Sequence, residues 1–468
     1  MRSSRSYIVT EFESLVRESA YISQSKSDYT RIDEEDFDLL KQYLLENVKD
    51  EGKQLFKVIR FGIGPKGESI QLKNYVGMLE LPNGTRLDIL PKIYDKNNEA
   101  LPAKRLKSVL LSMLSCLKDF PALELGNASL DLANLTIYEI FIRIYLNKVF
   151  ELTKLGLKSE YNEVTESLNT FHGRLDIKNQ IKTNIIHEER FFVTHDEYTL
   201  SRPENRIIKS TILKLVRKSN DGDNVALGRR LLNLFADIEE SKDPEADYAK
   251  ISYDSGNSSY LGVIQWSMVF LRSKSFSIFG GGAKGQSLLF PIDRIFEQYV
   301  ARQMERAIIA YNRKNGTSLK FASQEKAKYL FDIPKSFHIK PDLKINSSET
   351  IILDTKWKLL TDKKARDGIS QGDMYQMYAY SKRYKASNVF LLYPLSPMSP
   401  KIAYTEYKTV DEDIPTNVSI SFVDLNASSD FGRKTLLKLA DESNPFYSFL
   451  SKTIQGIALA NDSSLMLI

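Results

Sequence analysis

The segment most able to do chemistry runs Ile339-Lys340-Pro341-Asp342-Leu343-Lys344-Ile345, then a polar turn from Asn346 to Glu349, then Ile351-Ile352-Leu353-Asp354-Thr355-Lys356-Trp357-Lys358. It reads as a β-hairpin. Alternation along a strand puts Asp354 and Lys356 on one face, about 6.6 Å apart along the strand direction, with Leu353, Thr355 and Trp357 facing the other way. A register that sets Ile345 opposite Ile351 also sets Asp342 opposite Asp354, unless a bulge near Pro341 shifts the count. Two carboxylates and an ammonium then converge. Paired aspartates suit Mg²⁺, a hard ion that prefers oxygen ligands and keeps waters in its shell, with Mn²⁺ as an alternative. A lysine beside such an ion can orient, or help deprotonate, a water for attack on phosphorus, while the ion stabilises charge growing on phosphate oxygens.

The pattern acid-x-Lys carries little by itself. It recurs at Glu51 to Lys53, Asp176 to Lys178, Glu240 to Lys242, Asp362 to Lys364 and Glu406 to Lys408, where solvated ion pairing is the simpler reading. Only Asp354 to Lys356 follows an apolar Ile-Ile-Leu run and has a Pro-Asp pair on a candidate partner strand just upstream.

The elements around this hairpin follow from apolar spacing. Phe296, Tyr299, Val300, Met304, Ala307, Ile308 and Tyr311 make one stripe of a helix beginning near Asp293, with Glu297 at its edge and within reach of a metal. Asp373 to Tyr380 reads as a second helix carrying Gln376, followed by a buried strand at Asn388 to Tyr393. The order helix, strands with acids, helix, strand resembles the core of PD-(D/E)xK nucleases. With that resemblance, the chemistry assigns Asp342, Asp354 and Glu297 as metal ligands, Lys356 to position a water, and Gln376 to assist.

Composition limits the alternatives. The chain has 468 residues, 65 Lys and Arg against 60 Asp and Glu, one cysteine and four histidines, so neither a disulfide framework nor a Cys-rich zinc site is available. This favours an intracellular, cytoplasmic protein of two to four domains. The first ten residues lack a signal-peptide core, and no run of 18 or more apolar residues could span a bilayer, so no membrane partner is expected. Between Lys335 and Lys385 there are eleven Lys or Arg against six Asp or Glu, interleaved with aromatics, which suits a polyanion such as double-stranded DNA as well as it suits a solvated face.

Phosphate-loop motifs fail on inspection. Phe279 to Gly285 contains Lys284, but Gly285 and Gln286 follow it where a P-loop needs Ser or Thr directly after Lys. Gly62 to Gly67 imitates a dinucleotide fingerprint, but Pro65 and the lack of a following helix argue against it. His172, His187, His195 and His338 lack metal-ligand spacing and read as structural or surface residues. Asn205 to Thr211 reads as packing and capping rather than chemistry, and Arg174 and Arg206 as salt-bridge partners, with contact to phosphate or a partner as the alternative.

Along the chain, a helix is expected around Glu35 to Asn47. A small antiparallel β unit follows, with runs at Phe56 to Phe61, Tyr75 to Leu81 and Arg86 to Leu90, punctuated at Gly62 to Gly67 and Asn83-Gly84. Helical spacing then covers Leu101 to Leu117, Ile137 to Leu157, Asn205 to Lys218 and Gly228 to Ser241, with a polar break at Ser219 to Asn224. The expected fold class is mixed, multidomain α/β: a β-rich amino-terminal module (1–130), a mostly helical middle (131–285) and a carboxy-terminal domain with a restriction-endonuclease-like sheet (286–468). The glycine cluster at Phe279 to Gly285 suits a linker or a mobile loop.

Further stretches narrow the likeness. Phe171-His172-Gly173-Arg174-Leu175-Asp176, Asp196-Glu197-Tyr198-Thr199 and Glu204 to Thr211 resemble the middle region of the McrC family, the nuclease subunits of McrBC modification-dependent restriction systems. Gly77 to Ile93, with its closing run Leu87-Asp88-Ile89-Leu90-Pro91-Lys92-Ile93, looks like the amino-terminal β module of longer members. The resemblance implies a nuclease that cuts DNA while a separate McrB-like AAA+ GTPase supplies translocation and reads the modified base, so that GTP enters only through the partner. It also implies that the amino-terminal and middle regions dock into the GTPase ring and stimulate hydrolysis. Two other readings remain: an assembly factor that activates the GTPase without cutting, and a stand-alone nuclease.

Overall fold

The computed structural model describes residues 5–19, 29–51, 59–64, 67–94, 99–117, 134–187, 189–251, 258–272, 286–324, 328–346, 349–360, 364–395, 406–410, 415–425 and 449–454. The glycine cluster at 279–285 lies outside them. Contacts group the chain into two compact units, one formed by Met1–Ile137 together with Lys274–Ile468, the other by Tyr138–Ser273. Where sequence spacing suggested three consecutive domains, the two outer segments therefore share one unit.

The reason is a strand pairing. In the first unit β1 (Ser6–Thr10) runs parallel to β7 (Arg86–Leu90), and β6 (Tyr75–Glu80) runs antiparallel to β7. The fourth strand of that sheet is β11 (Gln286–Pro291), which lies antiparallel to β6 from the far side of the sequence. Gly77, at φ 129°, permits the approach, because a Cβ there would sit 2.0 Å from the Leu288 carbonyl oxygen. A second sheet, β2 (Ser14–Arg17), β3 (Tyr29–Ile32), β4 (Ile59–Gly64) and β5 (Gly67–Leu72), is ordered β3-β2-β5-β4. Helix Glu34–Glu51 covers this region with Phe37, Leu40, Tyr43 and Leu44 turned inward, and its first turn is acidic, which suits the positive end of the helix dipole. Gly62 to Gly64, expected within a turn, are strand residues. Asn83-Gly84 is the turn expected: Gly84 N–H bonds the Leu81 carbonyl at 2.9 Å, and the Asn83 amide bonds Asp36 at 2.7 Å. Asp88, from the run that carried the family likeness, is buried, where Lys107 at 3.1 Å and the Ile137 N–H at 3.1 Å hold it.

The second unit is helical around an aromatic core, in which Phe141, Trp266 and Phe270 touch in sequence. It also holds a sheet that the expected helical middle did not include: β8 (Glu160–Leu168) and β10 (Phe191–Thr199) are paired along their full length, with β9 (Arg174–Leu175) on the other edge of β10. Most of β8 is exposed on both faces, so its sequence lacks apolar alternation. Helix Gly222–Leu234 starts six residues before the expected helix at Gly228, because the polar break is its cap: Asp221 accepts the Asn224 N–H at 2.9 Å.

Back in the first unit, β12 (Lys320–Ser323), β15 (Leu343–Asn346), β16 (Thr350–Thr355), β17 (Asn388–Pro394), β18 (Glu406–Lys408) and β19 (Asn417–Val423) form a mixed sheet ordered β12-β15-β16-β17-β19-β18. β13 (Lys328–Asp332) and β14 (Lys335–Ile339) form a separate hairpin. β16 is antiparallel to β15 and parallel to β17, and the parallel step crosses over through helix Gln371–Tyr384. Ile352 of β16 joins Met377, Tyr380, Val389 and Leu391 in one core on that helix's side. Beyond the strand, Trp357 meets Phe296 of helix Ile292–Asn315 edge-on at 5.2 Å.

Trp357 has a second anchor. Its indole N–H donates at 2.5 Å to Oε1 of Glu11, which follows β1 and is wholly buried. Burial pushes the Glu11 carboxyl up to about 8. An acid raised in the folded state keeps its proton where the unfolded chain, with a value near 4.5, has lost it. Stability conferred at low pH is therefore lost as pH rises from about 4.5 to about 8, at up to ~1.4 kcal/mol per pH unit. Glu11→Gln keeps the acceptor for Trp357 and removes the proton. Thermal melts should show the variant gaining on the parent between pH 5 and 8; an unchanged difference across that range would refute the assignment. Gly77→Ala should destabilise by several kcal/mol in urea unfolding, since both the left-handed φ and the Leu288 carbonyl exclude a methyl group.

Candidate active site

The hairpin register expected from sequence is the one observed. Ile345 pairs with Ile351 and Leu343 with Leu353, where the ladder ends; Asp342 precedes it and lies near enough to Asp354 for its charge to act on that carboxyl. The first strand is shorter than expected. Ile339 ends the separate β13–β14 hairpin, and Lys340 to Asp342 form a connection outside any strand, so Asp342 enters from a bend at the strand's beginning. From there its Oδ2 accepts the Thr355 backbone N–H at 2.7 Å and the Thr355 hydroxyl at 2.7 Å. Thr355 was expected to face away from the acids; its hydroxyl instead fixes one of them, because Asp342 caps the strand end.

Asp354 is almost fully buried and ion-paired through Oδ2 to the Lys356 ammonium. Burial raises the Asp354 carboxyl above the usual range, and the charge of Asp342 raises it further, against the pull of Lys356. Burial disfavours the Lys356 ammonium, but Asp354, with the charges of Asp342 and Asp373, more than offsets this and holds the lysine charged. Among the described residues, Oδ1 of Asp342 and Oδ1 of Asp354 make no hydrogen bond. Two hard oxygens at a site with excess negative charge fit a divalent cation that retains waters.

Glu297 lies in the second turn of helix Ile292–Asn315, one residue after the Phe296 ring that abuts Trp357. Burial, and then the charge of Asp342, raises its carboxyl. Its Oε1 accepts the Gln324 side-chain amide at 2.7 Å, while Gln324 N–H bonds the Asp342 carbonyl at 2.9 Å. Gln324, in the left-handed region at φ 51°, therefore links the helix acid to the hairpin acid. Among the described residues no three His, Cys, Asp or Glu side chains form a group able to hold a metal. Glu297 thus stands near Asp342, where Gln324 engages it, rather than in a closed three-carboxylate cluster.

Gln376 acts on the acids at one remove. Its amide donates to the Tyr380 hydroxyl at 2.7 Å, and that hydroxyl donates to the Lys340 carbonyl at 2.7 Å. Burial and the charges of Asp354 and Asp342 raise the Tyr380 phenol, which places it against the site. Asp373 is a further acid whose charge reaches Asp354 and Lys356, and it is paired with Lys358 at 2.6 Å. Sequence reasoning missed Thr355, Gln324, Tyr380 and Asp373. Only Tyr380 had a signal, its spacing of four from Gln376 on one helix.

Several residues expected to be structural have partners within the fold. Asn205 is fully buried and donates to the Lys158 and Leu200 carbonyls, each at 2.8 Å. Arg206 pairs with Asp247 at 2.7 Å and Arg174 with Glu163 at 3.5 Å. His172 and His195 meet ring to ring at 5.1 Å, and His338 lies against Tyr329.

Comparison with known proteins agrees with this architecture. No curated protein matches the chain in sequence. A solved structure from Thermococcus gammatolerans, a refined half-complex from a tetradecameric assembly of McrB AAA+ hexamers with bound McrC, is similar with a TM-score of 0.65 at 16% identity, over 91% of this chain and 99% of that one. The cryo-EM structure of the McrBC complex from the same organism matches with a TM-score of 0.46 at 18% identity, over 65% of this chain and 88% of that one. At such identities the first likeness is one of fold, and it bears out the mixed α/β class. The family model described as McrBC 5-methylcytosine restriction system component matches residues 70–394, well over half of the sequence, and the chain belongs to that family.

Proposed function

We propose that the chain is the nuclease subunit of a modification-dependent restriction complex, hydrolysing DNA phosphodiesters with Mg²⁺ or Mn²⁺ and working with a separate McrB-like AAA+ GTPase. The observation that carries this is the juxtaposition of Asp342, at the start of β15 and bonded to Thr355, with Asp354, at the end of β16, and the Lys356 ammonium on Asp354. Family membership and the McrB-bound relative support the partnership.

Asp342 and Asp354 would hold the ion, with Glu297 beside them and the remaining positions left to water or phosphate. Bound there, it supplies Lewis-acid stabilisation of charge on the phosphate oxygens. The other roles belong to the chain. Lys356, held as an ammonium, orients the attacking water by donating to it. Thr355 fixes the Asp342 carboxylate, and Gln376 acts through Tyr380, which grips the Lys340 carbonyl two residues before Asp342. Glu297 is kept in place by Gln324. The middle unit supports a docking role: Phe171, Ile177, Ile181, Ile185 and Ile186 are exposed around its sheet, an apolar surface of the kind that marks a protein interface.

The test uses the full chain with its GTPase partner, GTP and methylated duplex DNA. Asp342→Ala, Asp354→Ala and Lys356→Ala should each lower cleavage by about a hundredfold or more while stimulation of the partner's GTPase survives. Calorimetry on the isolated chain should show Mn²⁺ binding that Asp354→Ala abolishes. A parent chain that stimulates the GTPase but never cuts would identify a non-catalytic activator, whereas metal-dependent cutting without any GTPase would identify a stand-alone nuclease.

A further inference from the structure

The β13–β14 hairpin is built unlike the rest of the sheet unit. It is tied down at both ends: at the base Lys328 donates to the Arg383 carbonyl at 3.1 Å and the Tyr384 hydroxyl donates to the Ile339 carbonyl at 3.2 Å, and beside the turn Asp332 pairs with Arg383 at 2.7 Å. Its outer end is apolar and uncovered. Phe331 is 54% exposed, Ile333 94% and Phe337 70%. Simple alternation would turn Phe337 away from Phe331. Phe337 instead adopts φ 57°, a left-handed backbone that a bulky L residue rarely takes, and its ring meets Phe331 edge-on at 5.9 Å. The hairpin thus spends backbone strain on pairing two aromatic rings in solvent.

The surrounding charge is cationic. From 328 to 340 the chain carries Lys328, Lys335 and Lys340 against Asp332 alone, and Asp332 is neutralised by Arg383. The hairpin also runs directly into the site, with only Lys340 and Pro341 between Ile339 and Asp342. An apolar tip with Lys335 beside its turn, and Lys328 and Lys340 at its base, suits a wedge that enters between base steps while cations along the hairpin hold phosphates.

We propose that the β13–β14 hairpin contacts duplex DNA, with Phe331, Ile333 and Phe337 entering the base stack and Lys328, Lys335 and Lys340 holding the flanking phosphates. This deepens the nuclease reading and rests on it for the identity of the ligand. The wedge sets the register of the duplex, so that a phosphate near the unstacked step meets Asp342.

The test is fluorescence anisotropy of the full chain on a labelled duplex of about 30 base pairs in EDTA, over a salt series, with a second duplex carrying 2-aminopurine to report unstacking. The comparison is the parent against the triple variant Phe331→Ser, Ile333→Ser, Phe337→Ser, whose exposed positions leave the core intact; a matching melting curve checks this. The variant should bind about tenfold more weakly, keep the parent's salt slope because the lysines remain, and lose the 2-aminopurine increase. Equal affinity and equal 2-aminopurine signal in variant and parent would overturn the proposal, as would a parent that binds no duplex. Loss of partner GTPase stimulation with DNA affinity intact would also overturn it, assigning the tip to a protein. The two readings fail separately. A parent that binds DNA through the hairpin yet never cuts with Mg²⁺ sinks only the nuclease, and a variant that binds and cuts like the parent sinks only the wedge.

Discussion

Everything at this site depends on holding two like charges together at the end of a buried strand. Asp354 has lost most of its contact with water, and burial, then the charge of Asp342, makes it harder to ionise. Such an arrangement persists only if the fold supplies compensation. Lys356 supplies a counter-charge to one acid, and two hydrogen bonds from Thr355 satisfy the other. The compensation is incomplete, since an oxygen on each carboxylate makes no hydrogen bond among the described residues, and that is the demand the proposed cation would meet.

Positioning comes from far away in sequence. Helix Ile292–Asn315 emerges from β11, and β11 is a strand of the amino-terminal sheet, so the placement of Glu297 is inherited from the β6 pairing. Trp357 couples both ends of this arrangement. It follows Lys356 directly, lies against Phe296 beside Glu297, and is hydrogen-bonded to Glu11 beyond β1. One aromatic side chain therefore ties the lysine, the helix acid and the first sheet into one packed body, in which a shift of any part displaces the others.

The legible parts of this structure were those written in local pattern. The β15–β16 register could be read because an Ile-Ile-Leu run fixes which face is buried and a slip by one residue would turn it outward. The helix carrying Glu297 was legible from its apolar stripe, and the helix carrying Gln376 from its position between strands. What escaped was long-range or broke the local period. The alternation at Ile339-Lys340 continues through a point where the chain leaves one hairpin for another, so nothing marked the break. Gln324 reaches the site through a left-handed turn, and Thr355 through an acid that caps a strand rather than crossing it. The β6–β11 pairing joins residues about 200 positions apart and left only a hint in Gly77, while β8 has too little buried surface to show alternation.

The β6–β11 ladder also sets an order of events during synthesis. When the amino-terminal sheet has left the ribosome, β6 still has an unpaired edge, and its partner is made only after the entire middle unit. Helix Ile292–Asn315 cannot be seated before that edge is filled, and the acids of the hairpin come later still. A chain interrupted anywhere in its first 290 residues therefore carries neither aspartate of the hairpin, and both acids emerge only after the strand that completes the amino-terminal sheet.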